Sequence, residues 1–167
     1  MITVEYCQTM ARYNAWQNRG VMDVMKSLKT GELTKDRGAF FGSIMGTANH
    51  LLWGDQLWMS RFDGGFAPRT SLADSKGMHD NLQLFLDDRA RTDARISRWA
   101  KGLTQVSLIG PLTWYSASLE REVSKTKQFC ITHFFNHQTH HRGQLHAMFT
   151  AAGHKPGDTD LFIMPDT

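Results

Sequence analysis

Residues 126–153 read TKQFCITHFFNHQTHHRGQLHAMFTAAG, and this stretch decides the fold class. Cys130, Phe134, Leu145, Met148 and Ala152 recur at helical spacing, with Thr126 ahead of them and Gly153 and Pro156 behind. A period near 3.6 lines one face of a helix, and glycine followed by proline ends it, so the spacing predicts a helix over about Thr126 to Ala152. Working upstream, the same period marks three more helices. One runs from about Thr3 to Lys29, with Thr3 as N-cap and Gly31 as a left-handed stop. The next runs from about Phe40 to Phe62 and ends at Asp63-Gly64-Gly65; the third runs from about Met78 to Trp99 and ends at Lys101-Gly102.

Val106 to Val123 breaks this pattern. Gly110-Pro111 is a turn signal and Leu112-Thr113-Trp114-Tyr115 is rich in β-formers, which predicts a short hairpin or an extended crossover between helices three and four. The expected fold is all-α: a four-helix bundle whose one long connection excludes simple up-down-up-down order. The glycine-bearing loop from Asp63 to Gly77 reads as a lid or as plain mobile surface.

At 167 residues the chain has the length of one domain, expected to span 1–167. Its 41% hydrophobic residues and 4 prolines exclude a disordered tail or a fibre, because enough apolar surface is present to fill a core. Nineteen Lys+Arg against 16 Asp+Glu leave a net charge of only +3. The densest charged stretch, Asp87 to Arg95, mixes both signs and reads as a solvated helix face, so no nucleic-acid partner is expected. Met1 to Tyr6 lacks the basic start and apolar run of a signal peptide, and no apolar run nears the roughly 20 residues of a membrane helix. Cys7 and Cys130 show no metal-type spacing and read as free thiols. Together these features predict a soluble cytoplasmic protein with no membrane partner.

Eight histidines is a high count, and five of them (His133, His137, His140, His141, His146) fall on the fourth helix. Residues four apart are offset by about 40° on a helix. His137 and His141 therefore project on successive turns of one face, and that face is the apolar stripe. Two unsatisfied buried imidazoles are costly, which makes the pair a metal-ligand candidate. Helix two offers a third ligand in His50, which shares its face with Ser43, Gly46, Gly54 and Leu57; the small residues leave room for close helix approach. Asp55 lies on the opposite apolar face, as a group supporting the site or an interface residue. His133 and His140 lie roughly 80–100° from His141 and are expected at the mouth or behind the ligands. His79, His146 and His154 are expected at the surface. Cys130 shares the stripe of His137 and is expected to be buried.

Three nitrogens with an open position make the arrangement of a catalytic zinc site, and imidazole also suits nickel, iron and copper. His137-Gln138-Thr139-His140-His141 has the spacing of the H-E-x-x-H protease motif. Gln138, however, stands where the general base belongs and cannot accept a proton.

Four motifs, in order, carry a resemblance: Tyr13-Asn14-Ala15-Trp16-Gln17-Asn18; Asn49-His50-Leu51-Leu52-Trp53-Gly54-Asp55 with Trp58; His133 to Gln144; and Gly153 with Pro156-Gly157-Asp158-Thr159-Asp160-Leu161. Over nearly its whole length the chain resembles the DinB family of metal-dependent four-helix-bundle proteins. The resemblance implies up-down-down-up connectivity, a metal held by His50, His137 and His141, and a homodimer. It also implies chemistry in which a low-molecular-weight thiol is transferred to an electrophilic small molecule, with zinc, nickel or iron as the divalent cofactor. Two other readings stand beside it: a hydrolase using metal-bound water, and a non-catalytic metal-binding stress-response protein.

Overall fold

A computed structural model describes residues 2–166. Most of them are helical: α1 (Val4–Ser27), α2 (Thr30–Thr34), α3 (Ile44–Asp63), α4 (Leu82–Lys101) and α5 (Lys127–Ala151). One antiparallel hairpin, β1 (Pro111–Ser116) and β2 (Arg121–Thr126), stands between α4 and α5.

Each long helix starts where a short polar side chain can cap it. Thr3 accepts from the Tyr6 amide, Ser43 from Gly46, Asn81 from Gln83 and Leu84, and Thr126 from Phe129. These oxygens satisfy amides that have no partner inside the first turn. Two of the expected boundaries move for the same reason. The second long helix begins at Ser43 rather than Phe40, because residues 39–42 form a tight turn closed by a bridge between Ala39 and Gly42, with Gly42 at φ 76°. The third begins at Asn81 rather than Met78. Gly31 is not a left-handed stop: α1 ends at Ser27, Leu28 turns extended, and Gly31 enters the short α2. At the ends of α3 and α5 Gly64 (φ 71°) and Gly153 (φ 82°) adopt the left-handed conformation that suits glycine, whereas Gly102 after α4 stays right-handed at φ −84°.

The hairpin pairs Pro111 with Thr126 through to Ser116 with Arg121, and β2 feeds directly into the N-cap of α5. Side-chain contacts fix the sense of each helix pair. Gln8 meets Ala100 while Asn14 and Asn18 meet Asp93, so α1 runs antiparallel to α4. His50 lies beside His141 and Phe62 beside Phe134, so α3 runs antiparallel to α5. Tyr6 contacts Phe135 and Asn14 contacts Arg142, so α1 and α5 run parallel. Asp55 meets Arg89 and Asp63 meets Arg95, so α3 and α4 run parallel.

The interior divides into two apolar halves. One gathers Met25, Ile44, Leu52, Phe85, Leu145 and Phe149; the other gathers Cys7, Met59, Ile96, Ile131, Phe134 and Phe135. Between them, at the middle of all four long helices, lies a buried polar layer. Arg89 donates from Nη1 to Asp55 and from Nη2 to Asp93, both at 2.7 Å. Asn18 donates to Asp93 at 2.8 Å, Gln138 donates to Asp55 at 2.9 Å, and Arg142 donates to Asn14. This overturns the reading of Asp87 to Arg95 as a solvated face. Arg89, Thr92 and Asp93 are buried while Asp87, Arg91 and Ala94 stay exposed. Positions 85, 89, 92, 93 and 96 share the inward arc of α4, and the charges are tolerated there because each finds a buried partner.

Candidate metal centre

The stripe reading of α5 and the small-residue face of α3 converge in space. His50, His137 and His141 each offer a ring nitrogen, and these atoms all lie within 4.8 Å of one another. The close approach depends on Gly54. A Cβ there would sit 2.6 Å from Cε1 of His137, so the imidazole occupies the space that any side chain would need. Gly46 plays a related part at the start of α3, where it admits the backbone carbonyl of Phe41. That brings the Phe41 ring onto His50 at 3.9 Å and 19°, and edge-on to His141 at 5.6 Å. Trp53 stacks against the ring of His50 at 5.9 Å.

Partners behind the rings orient them. Nδ1 of His141 lies 2.8 Å from Oε1 of Gln144, an acceptor, so Nδ1 carries the proton and Nε2 keeps its lone pair. Nδ1 of His50 lies 3.0 Å from the buried hydroxyl of Ser75. Nε2 of His141 and Nε2 of His137 face each other at 3.1 Å. Two lone pairs that close require a shared proton or a cation between them. Nitrogens bound at about 2.0–2.1 Å to one tetrahedral ion lie roughly 3.3 Å apart, so the observed spacing fits a divalent ion. Nδ1 of His137 is buried without a partner among the described residues. The donor set, three imidazoles and no carboxylate, suits a divalent ion.

Burial, reinforced by the neighbouring imidazoles, lowers His50 to about 4 and His137 to about 3; burial also lowers His141, against the opposing effect of the hydrogen bond that its Nδ1 donates to Gln144. All three are neutral at pH 7, the form that ligates metal. The sign for stability follows. Unfolded histidines take up protons near pH 6.5, before the folded ones do, so protons favour the unfolded chain. The urea midpoint of chelator-treated protein is expected to hold steady from pH 8 to 7 and to fall as pH drops from about 6.5 toward 4. An equal fall in a variant with His50 and His137 both replaced by alanine would assign the loss to other groups.

The remaining sequence candidates separate. His133 is exposed, its ring 5.8 Å from His137 and 5.0 Å from Trp58, and burial of its inner side lowers its pKa. His140 is exposed beside His141. His79 is half-buried rather than on the surface, its Nε2 2.9 Å from Asp88. Asp55 points away from the histidines into the polar layer, and Gln138 joins it there, so the residue at the protease-base position does not face the ligands. Cys7 and Cys130 are free and buried. The segment from Gly64 to Asn81 is tied to α3 by three hydrogen bonds: Trp53 donates to the Thr70 carbonyl, and Asn49 to the carbonyls of Lys76 and His79. Ser75 and Phe41 escaped the sequence reading: Ser75 opens a single helical turn inside a stretch read as loop, and Phe41 stands in the turn ahead of α3 where the periodicity predicted helix. The buried Asn14, Asn18, Arg89, Asp93 and Arg142 also escaped it, because polar residues in a helix read as solvated.

A family model described as the DinB family matches residues 1–167. Protein DinB of Bacillus subtilis (strain 168) is 22% identical over 162 residues, covering 93% of this chain and 91% of that protein. With the match running the length of the chain, and three histidines gathered from the two helices that carry the quoted motifs, the chain belongs to the DinB family.

Proposed function

We infer that this protein is a metal-dependent enzyme that activates a low-molecular-weight thiol for transfer to an electrophilic small molecule. The convergence of three neutral imidazoles, unaccompanied by a carboxylate, carries the reading. His50, His137 and His141 would hold the ion, and their neutrality leaves its charge uncancelled. A divalent ion in such a site supplies positive charge that lowers the pKa of a bound thiol or water. Phe41 and Trp53 wall one side of the site and keep water from the rings. His133, neutral and open to solvent, is placed to accept a proton released near His137. The helix pairings support a single-domain four-helix bundle with up-down-down-up connectivity, in which α1 and α5 run one way and α3 and α4 the other. Among the described residues no helix is long and apolar enough to cross a membrane.

Elemental analysis of protein purified without chelator tests the site. About one divalent ion per chain is expected in the wild type, by the logic of one three-histidine centre, and none in His137→Ala, which should remain helical. Full occupancy in that variant would sink the site. Loss of an electrophile only in the presence of both a thiol and the ion is the expected activity. Equal turnover without thiol would replace transfer by hydrolysis.

A further inference from the structure

At the end of the molecule where α3 and α4 finish and α5 begins lies a cavity of about 360 Å³, outside the three-histidine cluster. Three cations line it, Arg61, Arg98 and Lys127, and no carboxylate does. None of the three takes part in an ion pair among the described residues. Arg61 and Lys127 are half-buried, and burial leaves the Arg61 guanidinium only partly hydrated. Lys127 is the first residue of α5, where the helix end already carries partial positive charge and a cation is locally unfavourable. A local preference broken without compensation within the protein is the mark of a site built for something else.

The walls define the partner's body. Trp99, backed by the Phe62 ring stacked on it at 5.3 Å and 16°, forms the aromatic wall, and Leu112 of β1 closes the cavity with apolar contact. Arg61 is held rigidly, its guanidinium 4.5 Å from the Trp58 ring and 5.0 Å from that of Trp114, so little side-chain freedom remains to be lost on binding. The volume lies at the lower end of small-molecule sites, about 300–1,000 Å³.

We propose that this cavity binds a small organic anion with a flat apolar body, an aryl carboxylate: the carboxylate is taken by Arg98 and Lys127, with Arg61 adding positive charge from the wall, and the ring lies against Trp99 and Leu112. The cavity lies outside the three-histidine cluster. Its test is calorimetric titration with 2-naphthoate, with the uncharged 2-naphthalenemethanol as the control of equal shape. One saturable naphthoate per chain is expected, at least about tenfold tighter than the alcohol and weakened at least about tenfold in the Arg98→Gln/Lys127→Gln double variant, as loss of charge-assisted contacts demands. Arg98 is exposed and Lys127 half-buried, and unchanged circular dichroism would confirm that the variant folds. Naphthoate binding should persist in His137→Ala. Absence of saturable binding, equal binding of the alcohol, indifference to the double substitution, or loss of binding in His137→Ala would each overturn the proposal.

Discussion

Replacing Asp55 with alanine is expected to remove about 3–5 kcal/mol of folding stability, the usual cost of stranding one member of a buried ion pair. Asp55 is fully buried and holds two helices at once, accepting from Arg89 of α4 and from Gln138 of α5. Without it, Arg89 keeps only Asp93, and a guanidinium buried between two apolar cores faces a vacant side. The Gln138 amide loses its acceptor as well. Water cannot easily reach either group, so the desolvation penalty stands in full. For a chain of this length the loss corresponds to a fall of roughly 6–20 °C in Tm. Asp87→Ala, on the exposed face of α4, should change stability by no more than about 0.5 kcal/mol. A Tm shift for Asp55→Ala no larger than that of Asp87→Ala would show that the layer does not hold the helices together.

Gly54→Ala is expected to weaken metal binding by about 10–100-fold, the range seen when a ligand loses its supporting geometry, while leaving the protein helical. Alanine is intrinsically the better helix former by about 1 kcal/mol, so any loss arises from contact. The added methyl would lie 2.6 Å from Cε1 of His137, and that ring, packed between His133 and His141, can yield only by turning away from the other two nitrogens. Gly20→Ala in α1, which meets nothing within 4 Å, is the matched control and should leave the metal untouched. Competition with a chelator measures both affinities. Equal affinity in Gly54→Ala and wild type would mean that the centre does not depend on this close approach.

The two variants probe features of different legibility. The small-residue face around His50 was visible in sequence as room for another helix, and Gly54 is where His137 uses that room. Asp55 was visible as a carboxylate on an apolar face, yet its partners were not. Arg89 and Asp93 sit in a run of mixed charge that is indistinguishable, residue by residue, from a solvated surface. Ser75 reaches the histidines from a single turn within a loop, where no period announces a direction, and Phe41 from the turn ahead of α3 that the periodicity read as helix.

By itself the sequence determined the four long helices, a β-forming break between the last two and the shared face of His137 and His141, because caps, turns and a 3.6-residue period act within a few residues of chain. Tertiary structure alone decided that α1 packs on α4 and α5 rather than on α3, that four helices bury one polar layer at their midpoints, and that His50 meets the α5 pair across Gly54. Those outcomes depend on which side chains oppose one another through space. An arginine becomes an interior residue only when a particular aspartate on another helix is there to receive it.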